Sequence, residues 1–141
     1  MQHYKIVLPE HLNDYGFLFG GNLLKWVDEI AYIRVSLDLP EQKFVTVGLD
    51  EVTFRHQIVK GQILRFQCRQ TRVGKTSVTY QVQVFGERYQ RDLHKVLFET
   101  HITFVCVDDD GSKILLQSVR KLCSKKHDHW MASGYWKSAN C

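Results

Sequence analysis

One long apolar segment, residues 20–39, constrains the fold of this chain more than any other feature. Its apolar side chains recur at spacings of three and four residues, as they do on the buried face of an α-helix. Gly20 and Gly21 precede this pattern and Pro40 follows it, which predicts where the helix begins and ends. Bulky side chains also fall on other faces, so we expect the rest of the chain to enclose this helix. These side chains are Trp26, Tyr32 and Ile33.

The hydrophobic period changes after the predicted helix. Four runs alternate in part between apolar and polar residues, as strands with one polar face do. A short stretch before the helix, residues 2–8, is a candidate first strand. The order of one strand, one helix and four strands predicts an α+β fold in which an antiparallel sheet curls around the helix. The four runs are residues 43–55, 62–73, 76–90 and 94–107.

Length and composition predict one globular domain. The chain has 141 residues, of which 44% are hydrophobic and 24% charged. We expect the domain to span residues 1–115 and a basic tail, helical or partly disordered, to span residues 116–141. The first residues do not resemble a signal peptide, and no apolar run approaches the roughly 20 residues of a membrane span. We therefore expect a cytoplasmic protein.

Asp28 is the residue of the predicted helix that stands out chemically. It shares an apolar stripe with Leu24, Ala31, Tyr32 and Val35, at helical spacings. A carboxylate in such a stripe is costly unless it is paired, protonated or facing a cavity. Such a position suits a catalytic carboxylate, but periodicity alone does not favour this over the alternative, an exposed position on a helix that frays from the core. The adjacent Glu29 follows Lys25 by four residues, which predicts an ordinary surface ion pair.

Two features before and at the helix start are candidates for binding an oxygen atom. Gly20 and Gly21 allow close approach to the backbone, and the free N–H groups of a helix N-terminus favour a negative oxygen. Asn13, in the preceding loop, offers an amide that can orient water or a carbonyl. A plain tight turn is the alternative for the two glycines, which alone are weak evidence, and the sequence favours a turn or Asx role for Asn13.

The predicted hairpin turn between the third and fourth strands carries polar groups. Gly74, Lys75, Thr76 and Ser77 offer backbone donors, hydroxyls and one cation, which suit a phosphate as well as they suit a solvated turn. His127 and His129 lie close together, but without other clustered ligands they do not predict a metal site. The cysteines form no C-x-x-C pair.

The stretch from Asn13 to Gly21, followed by Asp28, resembles the acyl-CoA thioesterases of the hotdog-fold superfamily. Their pattern is an Asn, a Gly three residues on, Phe-Gly-Gly, and an Asp seven residues after the second Gly. Further matching residues extend the resemblance over roughly residues 5–110. This chain departs from the pattern at residues 54–62, where relatives often have a Pro and an Asp that are absent here. The further matches are Val45-Thr46-Val47, Thr53-Phe54, Gly61 and residues 74–78.

The resemblance implies hydrolysis of acyl-CoA to a carboxylic acid and coenzyme A. It implies that Asp28 acts as general base or nucleophile, that Asn13 positions water or substrate, and that N–H groups near Gly20 and Gly21 polarise the carbonyl. It also implies a homodimer, or a tetramer or hexamer, with active sites between subunits. No cofactor is implied beyond the coenzyme A of the substrate. Expected contacts to that moiety come from Arg55, Arg72, Gly74, Lys75, Thr76 and Ser77.

Other functions remain open at this point. A hotdog enoyl-CoA hydratase is one, although the Asp-x-Asn-x-x-His spacing of such enzymes is absent around His11. A non-catalytic acyl-CoA-binding module is another. The net charge of +4 is the only feature that suggests a nucleic-acid partner, and we expect none.

Overall fold

The computed structural model describes residues 2–87 and 94–117. The elements are strand β1 (Gln2–Ile6), a 3-10 turn (Pro9–His11), helix α1 (Gly20–Asp38), and strands β2 (Lys43–Phe54), β3 (Ile63–Val73), β4 (Ser77–Gly86) and β5 (Val96–Val107). The predicted order of the helix and the strands is confirmed, and most boundaries agree within two residues. The exception is β4, which ends at Gly86 and not at residue 90, and the 3-10 turn was not predicted. The predicted tail and its histidines lie almost entirely outside the described residues.

The strands form one antiparallel sheet in the order β1-β3-β4-β5-β2. It curls around α1, so the predicted hotdog-like α+β architecture is confirmed. Alternation along β4 is complete, with every second residue from Val78 to Gly86 buried. β1 and β2 are the two edges of the sheet, and β2 is the longer one. No helix among the described ranges is long and apolar enough to cross a membrane.

The sheet covers only one side of α1. Six helix residues are buried against it, but the outward face of the C-terminal half is apolar and exposed. Leu37 is 62% exposed and Tyr32 is 47% exposed. Of the bulky side chains expected on further buried faces, Trp26 is buried, whereas Tyr32 and Ile33 lie on an outer face that the curled sheet does not reach. The buried residues are Leu23, Trp26, Val27, Ile30, Ala31 and Val35.

A polar cluster ties the C-terminal end of α1 to the sheet. Asp38 Oδ2 accepts hydrogen bonds from Arg34 Nε at 2.8 Å and from the Tyr80 hydroxyl at 2.9 Å. The ring of Tyr80 is fully buried, and the Cys68 thiol lies close enough to interact electrostatically with Arg34 and Asp38. Burial raises the pKa of Cys68 to about 12, and burial also raises the pKa of Tyr80.

These raised pKa values predict that stability falls at alkaline pH. Between about pH 9 and 12 the unfolded chain ionises Cys68 while the folded chain keeps it protonated, so the unfolded state binds fewer protons and is stabilised relative to the folded state. The contribution of the protonated Cys68 to the free energy of unfolding has its full value below about pH 9 and decreases as the pH rises through this window. We expect Cys68→Ala to reduce the alkaline slope of Tm against pH, measured by circular dichroism. The slope does not vanish, because Tyr80 contributes in the same direction.

A matched control separates ionisation from packing in this test. Val82 faces Cys68 across the β3–β4 pair and is also buried. Val82→Ala removes a larger buried volume but no titratable group, so it should lower Tm at every pH and keep the wild-type slope. Equal slopes for Cys68→Ala and Val82→Ala would contradict the assignment.

Candidate active site

The loop before α1 is built around Asn13. Its Oδ1 accepts hydrogen bonds from the backbone N–H groups of Tyr15 at 3.0 Å and Phe17 at 3.1 Å. Gly16 supplies the positive φ of 82° that closes this turn. The role of Asn13 as a turn residue is therefore confirmed. Its Nδ2 has no hydrogen-bond partner among residues 2–87 and 94–117, so this donor is available to a ligand.

The N-terminus of α1 also has free donors. The N-cap residue is Phe19, whose side chain cannot accept a hydrogen bond, and its backbone oxygen receives the N–H groups of Asn22 and Leu23. In the part of the chain that the structure describes, the N–H groups of Gly20 and Gly21 have no acceptor. Together with the positive end of the helix dipole, they form a site that suits a negative oxygen. This agrees with the sequence prediction for the two glycines.

An aromatic ring covers one side of this helix start. A Cβ atom at Gly20 would lie 3.1 Å from Cζ of Phe54, so any larger residue there would force the ring to shift by a few tenths of an ångström. Phe54 also packs edge-to-face on the buried ring of Phe98, with centroids 4.9 Å apart. Sequence analysis missed this contact, because Phe54 follows two irregularities in the β2–β5 register that periodicity does not reveal.

A cavity of about 320 Å³ lies beside Asn13 and Phe54. It is formed by the loop before α1 and by the segment after β2, which a hydrogen bond from Leu18 N to Ile58 O holds together at 2.8 Å. Its lining residues are Asn13, Phe17, Leu18, Phe54, Arg55, His56, Gln57 and Ile58. The cavity therefore borders the amide of Asn13, and Phe54, which covers the helix start, forms part of its wall.

Asp28 lies at the edge of the apolar stripe and is partly buried. Its Oδ1 accepts a hydrogen bond of 2.7 Å from the hydroxyl of Thr46 on β2. This bond fixes one carboxylate oxygen and leaves the other available. Sequence analysis noted Thr46 only within the Val45-Thr46-Val47 match to the family and did not predict its hydrogen bond to Asp28.

Glu29 differs from its neighbour, as predicted, but its partner differs from the prediction. Its carboxylate lies 4.0 Å from the ammonium group of Lys5 on β1 rather than pairing with Lys25. Lys5 lies on a strand that is distant from Glu29 in the sequence, and i,i+4 spacing within the helix cannot reveal such a contact. Glu29 is therefore a surface acid, and Asp28 is the carboxylate with a specific hydrogen bond.

The structure brings only some of the predicted site residues together. Asn13, Gly20 and Phe54 lie at one end of the molecule, whereas Asp28 lies eight residues into the helix. At 1.5 Å per residue, Asp28 is about 12 Å along the helix axis from Gly20. One thioester carbonyl cannot contact both groups of the same chain, since each needs a distance of about 3 Å.

The residues predicted to contact coenzyme A also lie at two opposite ends of the sheet. Arg55 follows β2 near the cavity, and its guanidinium donates to Glu99 at 3.3 Å. Arg72 and the turn at residues 74–77 lie at the opposite end of the sheet, where the N–H of Gly74 donates to the backbone oxygen of Ser77 at 2.7 Å. Lys75 is exposed in this turn. Its cation and that of Arg72 are accessible to an anion.

Comparison with known proteins identifies the family. Residues 15–90, more than half of the chain, match the family model described as "Thioesterase superfamily". The chain belongs to the thioesterase superfamily. Among curated superfamily members it is 30% identical over 106 residues to an uncharacterized acyl-CoA thioester hydrolase of Zymomonas mobilis, ZMO0511, covering 74% of this chain and 70% of that protein.

Other curated members are longer than the matched region. Mouse acyl-coenzyme A thioesterase 11 is 29% identical over 94% of this chain, which spans 22% of the mouse protein. The uncharacterized acyl-CoA thioester hydrolase YkhA of Bacillus subtilis is 28% identical over 77% of this chain, which spans 62% of its length.

Solved superfamily structures share the fold. The hexameric thioesterase y2039 of Yersinia pestis superposes with a TM-score of 0.75 at 26% identity, covering 82% of this chain and 93% of that one. An acyl-CoA hydrolase of Staphylococcus aureus, crystallised with butyryl coenzyme A, superposes with a TM-score of 0.75 at 24% identity over 94% of each chain. At that identity the second likeness concerns the fold alone.

Proposed function

We propose that this protein hydrolyses acyl-CoA thioesters to a carboxylic acid and coenzyme A. Membership of the thioesterase superfamily supports this reaction, as do the names of the curated relatives. The observation that carries the proposal is the pairing of two complementary groups, a carboxylate anchored by Thr46 and a helix N-terminus with two free N–H donors. The first group activates the attacking oxygen, and the second stabilises the negative charge that forms on the carbonyl.

In the proposed reaction Asp28 acts as general base or nucleophile. As a base, it removes a proton from water while the water oxygen attacks the thioester carbon. The carbonyl oxygen becomes an oxyanion, which the N–H groups of Gly20 and Gly21 bind, and Asn13 orients the water or the carbonyl. Collapse of this intermediate breaks the C–S bond and releases the coenzyme A thiolate, which then takes up a proton.

We further propose that the working enzyme is a homo-oligomer with its sites between subunits. The separation of about 12 Å between Gly20 and Asp28 supports this, because one chain alone does not complete the site. The free edge of β2 supports it as well, since the strand is long and exposes the apolar side chains of Val45, Val47 and Val52. The Yersinia relative is hexameric, which supports dimers assembled into a larger ring or cluster.

Antiparallel pairing of two β2 strands would complete the site. A twofold axis places the Lys43 end of one strand beside the Phe54 end of the other. Asp28 is anchored near the Lys43 end through Thr46, whereas Gly20 contacts Phe54 at the other end. The pairing therefore moves Asp28 of one chain toward the helix start and Asn13 of its partner.

The coenzyme A moiety is proposed to bind through basic and polar groups on both subunits. Arg72 and Lys75 offer exposed cations for its phosphates, and the turn of Gly74, Thr76 and Ser77 offers backbone and hydroxyl donors. Arg55, beside the cavity, is the remaining candidate, although Glu99 partly neutralises its charge. A cytoplasmic location and the absence of a nucleic-acid partner stay predictions.

A thiol-release assay on the purified protein tests the proposal. We expect release of coenzyme A from at least one of acetyl-, butyryl-, octanoyl- and dodecanoyl-CoA. Two further measurements distinguish the rivals: hydration of crotonyl-CoA without thiol release would favour a hydratase, and tight coenzyme A binding without turnover would favour a binding module. Either result with folded, oligomeric protein would overturn the proposed hydrolysis.

A further inference from the structure

The ring of Phe54 is placed unusually for a large apolar side chain. The ring packs on Phe98 and lies in the space that a side chain at Gly20 would enter, yet 53% of the Phe54 side chain is exposed. The exposed part lines the cavity beside Asn13. An apolar ligand in the cavity would cover part of this ring and gain the stabilisation that burial gives.

The same ring lies between the helix start and the cavity. Gly20, whose N–H is a candidate oxyanion donor, is in contact with the ring, and Asn13 lies across the cavity from the segment that carries it. A carbonyl bound at the helix start therefore has the Phe54 ring beside it. Any substituent of the carbonyl carbon that points toward the cavity must pass the ring.

We propose that Phe54 sets the acyl-chain preference of this enzyme by forming the wall between the carbonyl site and the cavity that receives the acyl chain. This inference rests on the hydrolysis proposed above. It assigns the cavity to the acyl group and assigns Phe54 a direct contact with it.

Size and lining favour the acyl group over coenzyme A as the occupant. The volume of about 320 Å³ lies near the lower end of the roughly 300–1,000 Å³ typical of small-molecule pockets, too small for the nucleotide and pantetheine together. Four of the lining side chains are apolar, and the charge of Arg55 is compensated by Glu99. These four are Phe17, Leu18, Phe54 and Ile58. A short or medium saturated chain suits such a lining.

Two substitutions that should change the chain-length preference in opposite directions test the assignment. Phe54→Ala opens the wall, so we expect the ratio of kcat/KM for dodecanoyl-CoA to that for butyryl-CoA to rise about tenfold or more. Phe54→Trp enlarges the wall and should lower the same ratio by a similar factor. Phe54→Leu should give an intermediate rise, which keeps the test valid if the alanine variant does not fold.

Tyr4→Ala is the matched control. Tyr4 is also an aromatic residue about half exposed, at 56%, but it lies on β1 at the other edge of the sheet. Its loss should leave the chain-length ratio unchanged. Oligomeric state is measured for each variant by size exclusion with light scattering, since β2 is also the proposed subunit contact.

The outcomes separate the two proposals. If the wild type releases no thiol from any acyl-CoA, the proposed hydrolysis fails and the role of Phe54 fails with it. If the wild type is active but the Phe54 variants keep its ratio, or lose activity equally at all chain lengths, only the assignment of Phe54 is overturned. A higher chain-length ratio for the alanine variant and a lower one for the tryptophan variant would support it. A residue with a purely structural role would not change the ratio in opposite directions when it is made smaller and larger.

Discussion

Asp28→Asn is expected to lower kcat for the best acyl-CoA substrate by roughly 10²–10⁴-fold, the range typical of a lost general base. The amide has the shape of the carboxylate, and its oxygen can still accept the hydrogen bond from Thr46. It can neither take a proton from water nor attack the thioester readily. KM, Tm and oligomeric state should therefore stay close to those of the wild type, so the loss would be chemical rather than structural.

Glu29→Gln is the matched control for this substitution. It removes a neighbouring carboxylate that is exposed and lies 4.0 Å from Lys5. Surface pairs of this kind contribute little to stability, about 0–1 kcal/mol, and Glu29 faces away from Thr46. Its turnover should be within a factor of two or so of the wild type, as for a surface change of this size. An Asp28→Asn variant that keeps turnover near the wild-type level would sink the assignment of Asp28.

Mixing two inactive variants is expected to restore activity. If Asn13 and Asp28 of each site come from different chains, a dimer of one Asn13→Ala chain and one Asp28→Asn chain has one doubly defective site and one intact site. Random pairing of equal amounts makes half of the dimers mixed, so about a quarter of the wild-type activity should return. Neither variant alone should exceed a few per cent of wild type, given the roughly 10²-fold or larger loss expected for such groups.

Subunit exchange has to be enforced for this measurement. The two variants, carrying different affinity tags, are co-expressed, and thiol release is assayed before and after the mixed species is isolated by sequential purification. The unseparated pool should show about a quarter of the wild-type activity, and the isolated mixed dimer about half. A mixed species as inactive as its parents would show that each chain supplies its own Asn13 and Asp28. That result would contradict the shared site even if hydrolysis itself is confirmed.

Periodicity was sufficient to predict the elements of the fold, because local side-chain spacing reports directly on burial. The spacing of Leu23, Val27 and Ile30 predicted α1, and the Gly-Gly pair and Pro40 predicted its ends to within one residue. The carboxylate of Asp28 was noticed for the same reason, since a charge within an apolar stripe breaks the local pattern. These inferences do not require knowledge of which elements pack against each other.

The contacts that complete the site could not be predicted in this way. The bond from Thr46 to Asp28, the pairing of Lys5 with Glu29 and the approach of Phe54 to Gly20 all join residues that are 18 or more positions apart. They depend on strand register and on two irregularities in β2, which spacing within one segment does not determine. The exposure of Tyr32 and Leu37 was missed for a related reason, because apolar faces of a helix do not reveal which of them a neighbour covers.

The open N-terminus of α1 sets a limit on how this protein can be stabilised. Phe19 occupies a position where serine, threonine, aspartate or asparagine would strengthen a helix by about 0.5–2 kcal/mol. A side-chain oxygen there would satisfy the same backbone donors that a developing negative charge requires. Selection for heat resistance alone would therefore favour such residues at position 19, and turnover would decrease. Selection for activity would exclude the same residues, so the two kinds of selection should give different residues at this position.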